Sequence, residues 1–158
     1  MTTEAVHTSE KARASEKPIV AAFEVRRAAM TRWSDNDMYG HLNNAVYYQL
    51  FDAAINSWII EQSGFDPVTA STIGVVVESG CQYFEQLEFP QALTVGIRVA
   101  RLGRTSVTYD LGLFPADTPD TATVAARGRW VHVYVDRDSR RPVPIPPDLR
   151  QLFASIAG

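Results

Sequence analysis

Trp33–Gln62 reads WSDNDMYGHLNNAVYYQLFDAAINSWIIEQ, and its two halves differ in kind. Trp33–Asn44 packs Asp35, Asp37, His41, Asn43 and Asn44 into one short polar stretch. From Ala45 onward, Tyr47, Leu50, Phe51, Ala54, Ile55, Trp58 and Ile59 recur at three- and four-residue spacing. That period predicts a helix over Ala45–Gln62 with a wide apolar face that must be largely buried. Asn43 is suited to cap it, because its side-chain oxygen can accept from an orphan amide in the first turn. Gly64 is placed to end it, with Pro67 just beyond. Titratable groups gathered at a helix start, where backbone amides are unpaired and the dipole is positive, suit carbonyl chemistry.

Either side of this stretch the pattern favours strands. Ile19–Met30 carries Val20, Phe23 and Val25 and is expected to form a strand, although its alternation is weak. Ile73–Phe89 reads as one long bent strand through Val75, Val76, Val77, Cys81, Tyr83 and Phe84. Val95, Ile97 and Val99 alternate with Thr94, Gly96 and Arg98, and Leu102-Gly103-Arg104 turns the chain into a second alternating run, Val107–Leu113. Thr123–Val135 makes a last strand after the Pro115–Pro119 loop, and Pro147–Ile156 closes as a short helix. A lone long helix must bury its face against the sheet, so the expected fold is α+β: a curved antiparallel sheet of five or six strands wrapped around one central helix.

The chain has 158 residues, enough for one domain with a substantial core. Residues 1–17 are rich in Thr, Ser, Ala, Glu and Lys without an apolar period and are expected to be a flexible tail, His7 included. Residues 18–158 are expected to form one domain. A net charge of −3 gives no electrostatic reason to expect nucleic acid as a partner. Cys81 is the only cysteine, which excludes an internal disulfide and suits a reducing compartment. It reads as a small packing residue rather than a reactive thiol. No apolar run is long enough to span a bilayer, and the N-terminus lacks the basic region and apolar core of a secretory signal, so a cytoplasmic protein is expected.

The pattern W-S-D-x-D-x-x-G-H-x-N-N-x-x-Y, Trp33 through Tyr47, resembles the signature of the hotdog-fold acyl-CoA thioesterases of the 4-hydroxybenzoyl-CoA thioesterase type. It is similar also to that of plant acyl-carrier-protein thioesterases. Tyr83-Phe84-Glu85, Leu93-Thr94-Val95, Leu102 to Ser106 and Arg141 to Pro146 follow in the family's order, so the resemblance runs over roughly residues 23–150. It implies the hotdog fold, with the active site at a homodimer interface, a tetramer being compatible. It also implies hydrolysis of acyl-CoA to free acid and CoA with no metal or redox cofactor, coenzyme A being part of the substrate.

Within that resemblance the catalytic acid matches Asp37, as base or nucleophile, and the amide that polarises the thioester oxygen matches Asn44. Partial desolvation would help an aspartate act as a base. His41 matches a histidine of the carrier-protein enzymes' catalytic group, but Tyr39 stands where those enzymes have asparagine. His41 therefore reads equally as a catalytic assistant or as a residue that orders the loop. Asp35 and Asn43 read as loop and cap residues.

Asp52 falls where related enzymes turn an acid toward the acyl group, and a solvated helix position is its plainer reading. Trp58, Ile59 and Val75–Val77 suit an apolar acyl pocket or the core, and His132 reads as a packing or sheet-surface residue. Arg101, Arg104, Arg137, Arg140 and Arg141 fall at strand ends or in the terminal loop, where guanidinium groups can pair with the phosphates of coenzyme A. Two other functions share the fold. A non-catalytic acyl-CoA binding or sensing protein would not need Asp37, and a hydratase or dehydratase pairs its acid and histidine at a different spacing.

Overall fold

A computed structural model describes residues 16–158. Most of the expected tail, with His7, lies outside the described residues. The chain runs β1 (Val25–Met30), α1 (Asn44–Ser63), β2 (Thr72–Tyr83), β3 (Ala92–Leu102), β4 (Ser106–Pro115), β5 (Ala126–Asp136) and α2 (Pro147–Ala154). The strands form one antiparallel sheet in the order β1-β3-β4-β5-β2. With the long helix packed on its inner face, this is the hotdog arrangement.

The α1 sequence explains where the helix sits. Its buried residues are Val46, Tyr47, Phe51, Ala54, Ile55, Trp58 and Ile59, the positions the periodicity marks with Val46 in place of Leu50, and they enter one core with Val95, Ile97, Leu111 and Leu113. Asn43 caps the helix through Oδ1, which accepts from the Ala45 amide at 2.9 Å. Gly64 ends it in the left-handed conformation, its amide donating to the Ile60 carbonyl at 3.0 Å. Phe51 reaches the sheet at Gly128, where a Cβ would lie 2.7 Å from the ring. The C-terminal α2 closes the far end of the core. Its Phe153 ring lies 5.8 Å from Tyr109 and 6.1 Å from both Trp58 and Tyr134.

Three boundaries differ from the sequence reading, each because the backbone finds another partner. Val20–Ala22 is a 3-10 turn rather than strand. The Val20 amide donates to Ala122, and Val20 and Phe23 cluster with Phe114 and Val124. The long second strand stops at Tyr83, since the amides of Phe84 and Glu85 both turn to the Ala125 carbonyl, at 2.8 and 3.0 Å. The last strand begins at Ala126 rather than Thr123, because the Val124 amide pairs with Pro18. Near these apolar contacts Asp110 is buried between Arg98 and Arg127, both of which donate to its carboxylate.

β2 is an edge strand that carries a bulge between Val76 and Glu78. Val76 and Val77, near its middle, are 46% and 58% exposed. A long edge with bare apolar side chains is a template for pairing with another strand.

The Gly128 contact gives a first expectation. Gly128→Ala drives a methyl into the fully buried Phe51 ring, and overpacking of this kind costs about 1–3 kcal/mol. Urea denaturation should show a lower midpoint, and an unchanged midpoint would contradict the packing described.

Candidate active site

The stretch between β1 and α1 is tied down at every turn. Asp35 is 2% exposed, and both of its oxygens are taken by Arg32. Oδ2 accepts the Arg32 amide at 2.8 Å, while Oδ1 accepts the guanidinium Nε and Nη2 at 3.0 and 2.8 Å. The Asp35 carbonyl in turn accepts the Asn43 amide at 2.8 Å, so this residue joins the entry of the loop to the helix cap. Desolvation by burial pushes the Asp35 carboxyl up. The hydrogen bonds and charge of Arg32 outweigh it and hold the group below the usual carboxylate range.

Asn36 Oδ1 accepts the Phe89 amide at 2.9 Å, and the Leu42 amide donates to the Leu87 carbonyl at 2.7 Å. The loop is thereby fastened to the segment that follows β2.

Between those ties Asp37–His41 folds into a tight turn. The Asp37 amide donates to the His41 carbonyl at 2.8 Å, and the Gly40 amide donates to the Asp37 carbonyl at 3.1 Å. Gly40 sits at φ +81°, a left-handed conformation that side-chain-bearing residues rarely adopt, which accounts for the glycine of the motif. Asp37 Oδ1 accepts the Tyr39 amide at 2.8 Å. Its Oδ2 takes no hydrogen bond among the described residues. Asp35 and Asp37 therefore differ in kind: one has both oxygens engaged, the other keeps an oxygen available.

Asp37, His41 and Asn44 line one cleft of about 660 Å³, walled on its other side by Tyr83, Glu85 and Gln86. The Tyr83 hydroxyl donates to the Asn44 carbonyl at 3.3 Å, and its ring meets Tyr47 edge-on at 4.8 Å. At the helix start the Ala45 amide is taken by the cap, and the Val46 amide donates to the Asn43 carbonyl at 2.9 Å. The Asn44 amide has no acceptor among the described residues. Asp37, with an open carboxylate oxygen, and Asn44, with an unpaired helix-start amide, thus line one cleft, and polarising a carbonyl and delivering a nucleophile to it require groups of these two kinds.

The structure does not bring the remaining sequence candidates into this cleft. Asp52 is exposed on α1, where its Oδ1 accepts from Asn56 at 3.2 Å. Among the described residues no arginine lines the cleft. Arg101, Arg104, Arg137, Arg140 and Arg141 gather instead at the opposite end of the sheet, where β3 ends, β4 begins and β5 runs out. Arg137 there donates through Nε to the Ala70 carbonyl at 2.7 Å, and through Nη2 to that of Pro67. Cys81 is half-buried, and burial pushes its thiol up to about 11, so it is not a nucleophile at neutral pH. Glu85 and Gln86 enter the site without having been singled out. Glu85 had a signal in the sequence only as part of Tyr83-Phe84-Glu85, and Gln86 had none.

The chain belongs to the thioesterase-like superfamily, whose family model matches residues 31–153. It is a thioesterase. Among solved structures it is similar to the PA5185 protein of Pseudomonas aeruginosa at 44% identity, covering 90% of this chain and 98% of that one, with a TM-score of 0.86. A predicted thioesterase from Bacillus stearothermophilus shares 25% identity over 84% of this chain and 96% of its own, with a TM-score of 0.71. A 1,4-dihydroxy-2-naphthoyl-CoA thioesterase from Synechocystis shares the fold, with 16% identity, 83% and 96% coverage and a TM-score of 0.73. Among the curated proteins compared, none matches significantly. No helix among the described residues is long and apolar enough to cross a membrane.

The role of Asp35 has a pH signature. Its carboxyl is held low in the folded chain, so its stabilisation is full above the ordinary carboxylate range and lost as pH falls through the lowered value. Asp35→Asn should therefore cost about 1–3 kcal/mol near pH 7, with the gap from wild type closing in acid. Thermal midpoints measured against pH check this, and a gap that widens in acid would contradict it.

Proposed function

We propose that the protein hydrolyses acyl-CoA thioesters, with Asp37 as the acid that drives cleavage and the Asn44 amide as the donor to the thioester oxygen. The observation that carries this is the pairing of an open Asp37 oxygen with an unpaired Asn44 amide on one cleft, in a chain of the thioesterase-like superfamily. The carbonyl oxygen accepts from Asn44 at the positive end of α1, and charge developing there in the tetrahedral state is stabilised by a donor already in place. Asp37 either takes a proton from the attacking water or attacks the carbonyl itself. In both routes the C–S bond breaks, the sulfur leaves as the CoA thiol after gaining a proton, and water supplies the oxygen of the free acid. No metal or redox group has a part in this scheme. His41, on the same cleft, is proposed to assist or to hold the turn.

The active unit we propose is a homodimer joined antiparallel along β2. Two features favour it. The edge of β2 presents bare Val76 and Val77, and among the described residues the Asp37 cleft has no lysine or arginine for the phosphates of coenzyme A. Antiparallel pairing about the middle of β2 sets the Thr72 end of one copy beside the Tyr83 end of the other. That carries the arginine-rich end of the sheet toward the partner's cleft, so Arg101, Arg104 and Arg141 are proposed as phosphate partners across the interface, Arg137 being engaged by the Pro67 and Ala70 carbonyls. Asp52, on the exposed side of α1, is proposed to face substrate in the same assembly. These cations support a coenzyme A thioester as the substrate. The Synechocystis neighbour, a CoA thioesterase by name, is consistent with it.

A sensor built on this fold would bind acyl-CoA without needing Asp37, so thiol release by the wild type separates the two readings and the Asp37 variant tests the residue. With released thiol as readout over short, long and aromatic acyl-CoAs, Asp37→Asn should lower kcat at least about 100-fold, in the range of general acid–base contributions, with the oligomer intact by sedimentation. Full activity in that variant would remove Asp37 from the mechanism. Acyl-CoA binding without release by the wild type would turn the case to the sensor.

A further inference from the structure

A second cavity, of about 230 Å³, lies toward the C-terminal part of α1, lined by Asn56, Ile59, Phe65, Ile73, His132 and Tyr134. It is below the roughly 300 Å³ at which pockets for whole drug-sized ligands begin, so it suits one end of a larger ligand. Ile59, Phe65 and Ile73 make apolar walls, and the polar groups are a histidine, a phenol and an amide. His132 is only 3% exposed, and nothing in the cleavage scheme uses it. Its Nδ1 stands 3.4 Å from the Tyr109 hydroxyl. Its Nε2 has no partner among the described residues.

Burial pulls the His132 pKa down to about 4, so at neutral pH the ring is uncharged and offers one nitrogen as a neutral donor or acceptor. Arg137, at the rim, already donates to the carbonyls of Pro67 and Ala70. With no partner from the described residues, Nε2 of His132 is free to donate to or accept from a ligand oxygen in the cavity.

We propose that this cavity is an acyl subsite that selects an uncharged oxygen, a hydroxyl or carbonyl, near the far end of the acyl group, through Nε2 of His132. The proposal rests on the thioesterase and paired-strand reading above. Ile73 sits at the Thr72 end of β2, so antiparallel pairing brings the cavity toward the partner's Asp37 rather than its own. In a single chain it lies 12 helix residues beyond Asn44, about 18 Å along the axis, out of reach of a short acyl group. Bound there, the acyl chain crosses the β2 seam and ends in the cavity, its oxygen against His132.

The test uses the intact protein and acyl-CoAs of four to ten carbons, each with and without a terminal hydroxyl. At the chain length that fits, the hydroxyl should raise kcat/KM about 10-fold. His132→Phe should abolish that preference while changing turnover of the plain chain less than about threefold. His132→Gln, which restores a donor and an acceptor, should recover part of it. No preference at any length, or a preference that survives in His132→Phe, would overturn the proposal while leaving the hydrolase reading intact. If no thioester is cleaved, the hydrolase reading fails separately, and binding decides. With ring-labelled histidine, 1-pentanol should shift the His132 signal of the wild-type protein in preference to those of His7 and His41, and an unmoved His132 signal overturns the subsite.

Discussion

The burial of one face of α1 against the sheet is the constraint on which the rest depends. Phe51, Ile55 and Trp58 are almost wholly withdrawn from solvent, and each large side chain so buried contributes about 1.5–3 kcal/mol. Phe51 can enter only because Gly128 presents no side chain to it. A helix seated this way has its rotation and its start fixed. The first turn therefore comes to rest at the mouth of the cleft, with the Asn44 amide unpaired beside Tyr83.

Against that fixed end the two aspartates divide the work. Asp35 is closed off by Arg32 and holds the loop to the helix cap. Asp37, two residues on, meets a single backbone amide and faces the cleft. The contrast arises from local geometry: the Arg32 side chain folds over the first acid, and the Gly40 turn displays the second. Cations, which line no part of the cleft among the described residues, are gathered at the other end of the same sheet. This asymmetry is the physical argument for two copies acting together.

Much of this was legible in the sequence. The helix was, because seven apolar residues at helical spacing leave one solution for its buried face, and Asn43 and Gly64 mark its ends as cap residues do. The strand core was also legible, because alternation in β3 and β4 is strong. The ends of β2 and β5 were not. They are set by backbone hydrogen bonds from Phe84 and Glu85 to Ala125 and from Val124 to Pro18, and no local pattern encodes those. In the site, the motif pointed to Asp37, His41 and Asn44, which share a cleft. The far wall, Glu85 and Gln86, and the distance of the arginines depend on how the chain folds back on itself. Spacing along the sequence carries none of that. His132 illustrates the same limit: its strand face was readable, but the cavity beside it is made by Asn56, Phe65 and Ile73 from other elements.

The most direct test of the central claim is a crystal structure with a CoA analogue in which a methylene replaces the thioester sulfur, leaving an uncleavable ketone. The account predicts the ketone oxygen within hydrogen-bond distance of the Asn44 amide and the Asp37 carboxylate beside the carbonyl carbon or a water poised on it. A ketone bound away from the start of α1, or turned from Asp37 toward another acid, would contradict it.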